Sequence, residues 1–232
     1  MWKQLLAFIF PDPNMCVCCE TRLETLGLCE DCLAHWREVA RLEGQCKRCG
    51  TYGVRAEVCD TCREWPKYYT KNRALLPYTG EVREAVLRFK FHNEPWRIKG
   101  FAPLLRAETP PEVDVIVPVP LHPKRLRERG YNQSLLFARL AAECWHLPLG
   151  ADWLVRTVNT PHQSTLVRSA RLSNVRDAFA VAERHLADVG GKRILLVDDV
   201  ITTGSTLRAC ARTLHQAGAK EIVSLTLAAG IR

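Results

Sequence analysis

The feature that most constrains the fold of this chain is the segment at residues 193–206, which reads Arg-Ile-Leu-Leu-Val-Asp-Asp-Val-Ile-Thr-Thr-Gly-Ser-Thr. Its apolar start predicts a buried central strand, and Asp198 and Asp199 follow at the carboxyl end of that strand. Ligands of open α/β sheets bind at this end of the strands. The polar residues of the loop that leads into the next helix pattern are Thr202, Thr203, Gly204, Ser205 and Thr206.

This arrangement predicts a site for a sugar phosphate. Backbone N–H groups at a helix start, together with threonine and serine hydroxyls, form a cradle for one phosphate. Two adjacent carboxylates can accept hydrogen bonds from ribose hydroxyls, as acidic residues do in dinucleotide sites. No Gly-Lys-[Ser/Thr] is present, which excludes a P-loop for nucleoside triphosphates. The alternative is an acidic strand end followed by an ordinary polar helix cap.

Strand and helix patterns alternate around this segment. Nearly continuous apolar strands that alternate with helices indicate an open parallel sheet covered on both faces. We therefore predict an α/β domain with flanking helices at residues 113–232. The expected strands are 113–119, 153–158, 178–182, 193–197 and 221–228, and the expected helices are 131–146 and 205–217.

A connecting segment at residues 67–112 precedes this domain. It contains a strand pattern at 73–78 and two helix patterns near 82–92 and 95–107. Thr109-Pro110-Pro111 then marks its end, because consecutive prolines interrupt regular structure. The segment is a candidate hood over the ligand site.

The cysteines are concentrated near the start of the chain, where nine of the eleven lie between residues 16 and 62. They form four Cys-x-x-Cys pairs, and nine residues separate the first pair from the second and the third from the fourth. This doubled spacing predicts a double zinc-ribbon module within residues 1–66, with about two structural zinc ions. The expected ligands are Cys16, Cys19, Cys29, Cys32, Cys46, Cys49, Cys59 and Cys62.

Three alternatives to this ligand scheme remain open. A Cys-x-x-Cys pair can serve redox chemistry, although four pairs in a loop-rich segment do not favour it. The first pair can share its metal with the third pair in a cross-braced arrangement. Cys18 can be a spare thiol or replace a neighbouring ligand. In each metal-binding case, four thiolates leave no open position for a substrate, so the zinc is expected to be structural.

The extreme N-terminus is apolar but short. Trp2, Leu5, Leu6, Ile9 and Phe10 recur at helical spacing, which predicts a short docking helix. No run of 18 apolar residues exists, and no small-residue cleavage site follows the apolar start. We therefore expect no membrane span and a cytoplasmic location.

The net charge of +8 is unevenly distributed. Residues 1–70 carry 9 basic and 10 acidic side chains, so the positive surplus lies entirely beyond them. Lys124, Arg125, Arg127 and Arg129 place four positive charges within six residues. Such a surface suits anionic partners, either pyrophosphate or a nucleic-acid backbone, and the alternative is a solvated basic face.

The segment at 193–206 resembles the phosphoribosyl pyrophosphate motif of type I phosphoribosyltransferases. The entire chain resembles the ComF family, competence-associated proteins with an N-terminal zinc module and a phosphoribosyltransferase domain. The match includes Leu-His-Pro-Lys-Arg-Leu-Arg-Glu-Arg-Gly-Tyr-Asn-Gln at 121–133, and Arg156-Thr157, Asn174-Val175, Ala178-Phe179 and the stretch around Lys90. The resemblance implies that this glycosyltransferase-type fold binds phosphoribosyl pyrophosphate with Mg²⁺.

Further roles follow from the resemblance, position by position. Asp198 and Asp199 would bind the ribose hydroxyls, and residues 202–206 would bind the 5′-phosphate. Type I enzymes usually have a basic or glycine-rich dipeptide in the pyrophosphate loop, whereas this chain has Pro118 and Pro120 there. Lys124 and Arg125, just downstream, are the expected substitutes.

Residues 159–177 fit the mobile loop of such enzymes. A reaction through a cationic ribosyl centre must exclude water, and a closing loop achieves this. Gln163 and Arg171 join the two aspartates as candidate catalytic residues, with Arg168 and Arg176 also within the loop. A solvated basic loop is the alternative.

Three functions remain open at this stage. The chain is an active pentosyl transferase linked to DNA uptake or nucleotide salvage, a phosphoribosyl pyrophosphate sensor that handles single-stranded DNA, or a structural descendant with an inactive site. The intact Asp-Asp and Thr-Thr-Gly-Ser-Thr disfavour the last. Competence-machinery proteins are candidate partners, and no motif identifies the acceptor.

Overall fold

A four-stranded parallel sheet lies at the centre of the computed structural model, which describes residues 14–63, 65–92, 94–158 and 178–231. The strand order is β1-β6-β5-β2. The strands are β1 (Tyr69–Pro77), β2 (Val115–Pro118), β5 (Arg193–Ile201) and β6 (Glu221–Ala229), and every neighbouring pair is parallel. The predicted fold class is therefore confirmed.

The first strand belongs to this sheet and lies at its edge. β1 pairs with β6 from Tyr69 to Pro77, so part of the predicted connecting segment extends the sheet of the α/β domain. The domain limits at 66/67 and 112/113 stay predictions.

Helices cover both faces of the sheet, as the apolar strands predicted. Alternate β5 residues belong to separate apolar clusters, with Ile194 and Leu196 on one face and Leu195 and Val197 on the other. The helices are α1 (Glu30–Glu43), α2 (Asp60–Arg63), α3 (Gly80–Phe91), α4 (Ala102–Ala107), α5 (Pro123–Arg129), α6 (Gln133–Trp145), α7 (Leu186–Val189) and α8 (Ser205–Gln216), with 3-10 turns at Pro95–Phe101 and Glu183–His185.

The faces are occupied by different parts of the chain. α8 packs with the second group of cysteines, while α3 and α6 pack with the first group. The two cysteine groups therefore lie against opposite faces of the same sheet.

The strands predicted at 153–158 and 178–182 exist but do not join the parallel sheet. β3 (Leu154–Arg156) and β4 (Phe179–Val181) pair with each other in an antiparallel two-stranded sheet. Each has only three residues and is partly exposed, so neither has the continuous apolar surface that a central parallel strand requires. Residues 159–177, the predicted mobile loop, lie outside the described residues, as does the predicted helix from Trp2 to Phe10.

Four helices were not predicted, and one predicted helix is divided. The unpredicted helices are α1, α2, α5 and α7. The predicted helix at 95–107 begins as a 3-10 turn and becomes α-helical only at Ala102. Gly100 lies in that turn because the backbone there packs closely on Val17: a Cβ at this glycine would be 2.2 Å from Val17 Cγ1. Within the described ranges, no helix combines the length and apolar content needed to cross a bilayer.

Candidate functional site

The two carboxylates lie where the sheet narrows. β2 ends at Pro118, which pairs with Val197, whereas β5 continues beside β6 through Asp198 to Ile201. The strand is thus longer than the predicted 193–197, because β6 continues to provide a partner. Past Pro118, β2 no longer pairs with β5. Asp198 lies there beside residues 200–207 around a small crevice, and Asp199 is buried next to it.

Each carboxylate has a specific partner. Asp198 Oδ1 accepts hydrogen bonds from Ser134 Oγ at 2.7 Å and from the backbone N–H of Asp199 at 2.9 Å. Asp199 Oδ1 lies 2.9 Å from Lys90 Nζ, and both side chains are largely buried. Lys90 comes from the end of α3, so the connecting segment reaches the predicted ligand site.

The electrostatics of the carboxylate pair are unfavourable without a ligand. Burial and the neighbouring charge of Asp199 raise the pKa of Asp198 to about 7, although the Ser134 hydroxyl and the Lys90 ammonium act in the opposite direction. Adjacent carboxylates in a partly dehydrated crevice favour any bound group that brings hydrogen-bond donors or positive charge. The pair can therefore bind two ribose hydroxyls or a cation.

The loop at residues 202–206 begins the long helix α8. Gly204 has φ +71°, a left-handed conformation that only glycine adopts at little cost, and it is the residue before the first helical turn. Thr203 Oγ1 and Ser205 Oγ are 3.0 Å apart, so their hydroxyls lie on the same side of the loop. N–H groups at the start of a helix and clustered hydroxyls are what a phosphate monoester requires. In this loop the Ser205 N–H lies 3.4 Å from Thr203 Oγ1, and phosphate binding by residues 202–206 stays a prediction.

Basic side chains line a second cavity, which adjoins the Lys90–Asp199 pair. Of the two residues predicted to contact pyrophosphate, Arg125 lines a cavity of about 480 Å³ together with Lys90, whereas Lys124 is exposed and does not line it. The remaining lining residues are Phe91, Arg127, Glu128, Arg129, Gly130 and Tyr131. Burial lowers the pKa of Arg129, and the negative charge of Asp199 partly offsets this. The roles of Lys124 and Arg125 stay predictions.

Sequence patterns alone did not identify several of these residues. Ser134 follows Asn132, whose side chain caps α6, and this cap was a detectable signal. Phe91 is 53% exposed, with the Arg129 guanidinium 4.8 Å from its ring centre. Arg156 at the end of β3 lies over Phe179, and its pKa is lowered by burial and by the nearby charge of Arg125. Nothing in the sequence linked these distant positions.

The other two candidate catalytic residues, Gln163 and Arg171, lie outside the described residues together with Arg168 and Arg176. The strands on either side of them, β3 and β4, are described. β4 packs beside α8, where Thr213 Oγ1 lies 3.4 Å from the Phe179 carbonyl oxygen.

The eight predicted metal ligands form two groups. Cys16, Cys19, Cys29 and Cys32 make one, Cys46, Cys49, Cys59 and Cys62 the other, and within each group the sulfurs lie within 4.8 Å of one another. Each group combines consecutive pairs, so the cross-braced alternative is wrong. Cys18 belongs to neither group, and burial raises the pKa of its thiol to about 12.

The sulfur positions fit zinc. Four ligands about 2.3 Å from a tetrahedral ion are about 3.8 Å from one another. The Sγ–Sγ distances are 3.7 Å for Cys16–Cys32 and 3.6 Å for Cys19–Cys29 in the first group, and 3.8 Å for Cys49–Cys59 in the second. Backbone N–H groups also point at ligand sulfurs, as in the 3.3 Å contact from Cys59 N to Cys46 Sγ. Both groups could hold one zinc ion each.

The second cysteine group is bonded directly to the sheet. Asn72 on β1 donates to the Cys49 carbonyl at 2.9 Å and to Thr226 Oγ1 at 3.0 Å, and its own side-chain oxygen accepts from Ser224 at 2.7 Å. Ser224 in turn bonds to the Tyr69 hydroxyl at 2.6 Å. This buried polar network joins the metal module to β1 and β6.

Comparison with known proteins agrees with these features. A family model described as the phosphoribosyl transferase domain matches residues 147–232. Competence protein F of Haemophilus influenzae is 29% identical over 218 residues, which cover 89% of this chain and 93% of that protein. DNA utilization protein YhgH of Salmonella typhi is 30% identical over 225 residues, which cover 90% of this chain and 94% of that protein.

Among solved structures, glutamine phosphoribosylpyrophosphate amidotransferase from B. subtilis is 25% identical, with a TM-score of 0.37 over 55% of this chain and 25% of that one. The sheet, the carboxylate pair and the family match define a protein with a phosphoribosyltransferase-type domain preceded by two four-cysteine sites. The chain belongs to the ComF family, with which it aligns over most of its length.

Proposed function

We propose that this protein binds phosphoribosyl pyrophosphate with Mg²⁺ in the crevice beside β5. The observation that carries this proposal is that Asp198 and the loop at residues 202–206 line the same cavity, with Asp199 adjacent in the chain. A carboxylate pair and a candidate phosphate cradle are thus neighbours on one continuous segment. The Lys90–Asp199 contact of 2.9 Å brings a cation to the same place.

Each part of the ligand then has a complementary group. Residues 202–206 receive the 5′-phosphate, and the carboxylates accept hydrogen bonds from the 2′- and 3′-hydroxyls. Arg125 and Arg129, which line the adjoining cavity, face the pyrophosphate. Bound Mg²⁺ supplies charge neutralisation of the pyrophosphate oxygens, which makes pyrophosphate a better leaving group.

The reaction that such a complex supports is transfer of the phosphoribosyl group. The C1–O bond to pyrophosphate breaks and its electron pair leaves with pyrophosphate. An incoming nucleophile forms a bond to C1 and loses its proton. Positive charge develops on the ribose ring meanwhile, so the carboxylates beneath the ring stabilise it electrostatically. Closure of the loop at 159–177 would exclude water, which otherwise competes as the nucleophile.

Calorimetry with phosphoribosyl pyrophosphate and Mg²⁺ tests the binding step. The double variant Asp198→Asn/Asp199→Asn should lose binding, because a hydrogen bond to a charged group contributes about 1.5–3 kcal/mol. Asp60→Asn is the control, since this exposed carboxylate pairs with the exposed Arg63 at 3.3 Å and lies outside the proposed ligand site. Equal affinity in the double variant and the control would contradict the proposal.

The names of the relatives suggest the biological setting. One relative is named a competence protein and the other a DNA utilization protein. We place the present protein in the same process, with phosphoribosyl pyrophosphate as the nucleotide-precursor ligand that connects DNA uptake with nucleotide metabolism. Deletion of the gene in a transformable host should lower recovery of transformants without slowing growth on rich medium.

A second candidate function is a non-catalytic sensor that contacts single-stranded DNA. The observation that favours it is the exposed Phe91 ring beneath Arg129, because nucleic-acid grooves combine basic side chains with stacking aromatic rings. Arg125, Arg127 and Arg129 all line the same cavity. This arrangement gives the basic segment an aromatic partner besides Tyr131, the only one close to it in sequence.

Two measurements separate the candidates. A screen of bases and amines for pyrophosphate release identifies turnover. For DNA, affinity of an oligonucleotide should fall with salt at a log–log slope near −0.7 per neutralised phosphate, and replacing the three arginines by alanine should reduce that slope by about two. If the arginines contact only the pyrophosphate group, the same substitutions weaken phosphoribosyl pyrophosphate binding and leave DNA affinity unchanged.

A further inference from the structure

Trp65 is a buried aromatic residue that joins the second cysteine group to the phosphate loop. It is 4% exposed and lies three residues after Cys62, whose carbonyl accepts a hydrogen bond from the Trp65 backbone N–H at 3.2 Å. At the other end of the side chain, the indole ring faces Gly204. A Cβ at that glycine would lie 2.9 Å from Trp65 Cζ2 and 3.5 Å from Cη2.

The Trp65 ring is fixed in place from several directions. It stacks on Tyr69 with the ring centres 4.7 Å apart and the planes within 15° of parallel. Arg48 donates to the carbonyls of Trp65 and Cys62, both at 3.0 Å, and so holds the backbone on either side of the turn. Arg208, from the first turns of α8, places its guanidinium 5.9 Å from the indole centre. The ring therefore cannot move without disturbing the metal module or α8.

We propose that Trp65 is a positioning residue for the phosphate-binding loop, and that through it the second cysteine group and the ligand site form one structural unit. This inference rests on the proposed function only for the identity of the ligand. The indole ring packs directly against Gly204, which has a left-handed backbone conformation. Ser205, the first residue of α8, follows Gly204 directly, and its N–H lies 3.4 Å from Thr203 Oγ1 within the same loop.

The first cysteine group has no such link among the described residues, which makes the two modules unequal. It packs against the opposite face of the sheet, with Val17 against Gly100 and Arg97 donating to the Val17 carbonyl at 3.0 Å. Its own buried tryptophan, Trp36, is 3% exposed and faces Gly80 at the start of α3. Loss of the first site should therefore affect α3 and leave the phosphate loop in place.

Trp36 is consequently a matched control for Trp65. Both rings are buried to the same extent, and neither indole N–H has a hydrogen-bond partner among the described residues. Truncation of either ring to alanine removes packing alone and leaves a similar cavity, so the two variants should lose similar global stability. A phenylalanine keeps most of the packing in each case and breaks no hydrogen bond.

The first measurement is amide hydrogen exchange of the whole, zinc-loaded protein without ligand. Trp65→Ala should accelerate exchange of the amides at residues 203–207, Trp65→Phe should do so only slightly, and Trp36→Ala should leave them as in the wild type. This arm needs no phosphoribosyl pyrophosphate and so stands even if the proposed function fails. Unchanged exchange at 203–207 in Trp65→Ala, or equal acceleration in Trp36→Ala, would overturn the inference.

The second measurement is affinity for phosphoribosyl pyrophosphate with Mg²⁺, made on variants whose zinc content equals that of the wild type. Small displacements in a preorganised site cost about 10- to 100-fold, so Trp65→Ala should weaken binding by about that factor. Trp65→Phe should recover most of the affinity. Trp36→Ala, which contacts the start of the helix that carries Lys90 but not the phosphate loop, should weaken binding less than Trp65→Ala does. If the wild type binds and Trp65→Ala binds equally well, Trp65 does not position the loop.

Discussion

Asp198 should lower the stability of the ligand-free protein, and its replacement by asparagine should raise that stability. The asparagine oxygen can still accept the hydrogen bonds from Ser134 Oγ and the Asp199 backbone, which are 2.7 Å and 2.9 Å long in the wild type. The negative charge beside Asp199 is lost. The substitution therefore removes an electrostatic cost and leaves the local hydrogen bonds intact.

The magnitude follows from the pKa of Asp198, which is raised from 3.8 to about 7. One pH unit corresponds to about 1.4 kcal/mol, so the difference sets an upper limit of about 4 kcal/mol on the destabilisation above pH 7. The side chain is not fully enclosed, and Lys90 and solvent relieve part of the repulsion. We expect a gain of about 1–2 kcal/mol in Asp198→Asn, which corresponds to about 2–8 °C in Tm for a chain of this size.

The gain should depend on pH in a defined direction. Unfolded chains release the Asp198 proton near pH 4, about the usual value for aspartate, whereas the folded protein keeps it until about pH 7. Between these values the unfolded state binds fewer protons, so the stability of the wild type falls as pH rises. The advantage of Asp198→Asn should be small near pH 4 and reach its full size above pH 7.

Thermal denaturation at pH 5 and pH 8, with and without phosphoribosyl pyrophosphate and Mg²⁺, measures both effects. Asp198→Asn should melt higher than the wild type at pH 8 without ligand but gain less from the ligand. Asp114→Asn is a control that should change the stability in the opposite direction. Hydrogen bonds from the Arg193 backbone and side chain lower the pKa of Asp114, so the charged form of this side chain favours the folded protein. An Asp198→Asn variant that is less stable at pH 8, or whose advantage does not change with pH, would refute the reasoning.

Three further predictions concern the metal sites, the buried network and the phosphate loop. Metal analysis should find about two zinc ions per chain. Cys46→Ser should remove one of them and unfold the second module, because metal binding and folding are coupled there. Retention of both ions in this variant would contradict the prediction. Asn72→Ala should lower the free energy of unfolding by about 2–4 kcal/mol in urea denaturation. It removes the buried donor to the Cys49 carbonyl and the oxygen that accepts from Ser224, although Ser224 keeps its bond to Tyr69. Gly204→Ala should weaken phosphoribosyl pyrophosphate binding in calorimetry, since its φ of +71° and the 2.9 Å approach of Trp65 both oppose a Cβ; unchanged affinity would show that the loop tolerates another conformation.

The local motifs were predictable from the sequence alone. Asp198, Asp199 and the loop at 202–206 occupy one short segment, so their proximity follows from the geometry of a strand, a turn and a helix. The same holds within each Cys-x-x-Cys pair. The parallel sheet was also predictable, because strands buried on both faces have nearly continuous apolar sequences.

Pairing between distant segments was decided only by the tertiary structure. The short strands β3 and β4 have apolar residues that suit either sheet, and the sequence pattern did not indicate that they pair with each other. Cysteine spacing likewise permitted two ligand arrangements until the folded chain placed consecutive pairs together. The packing of the chain on the sheet also placed the two cysteine groups against opposite faces.

The residues that contact the two carboxylates likewise come from distant parts of the sequence. Lys90 is 109 positions before Asp199, and Ser134 is 64 positions before Asp198, yet both are in contact with them. No periodicity within a single helix encodes those contacts, because they depend on how α3 and α6 cross the sheet. Trp65 reaches Gly204 in the same way, across 139 positions. The sequence thus determined which chemical groups the site contains, while the packing of helices and metal modules on the sheet determined their charge, burial and support.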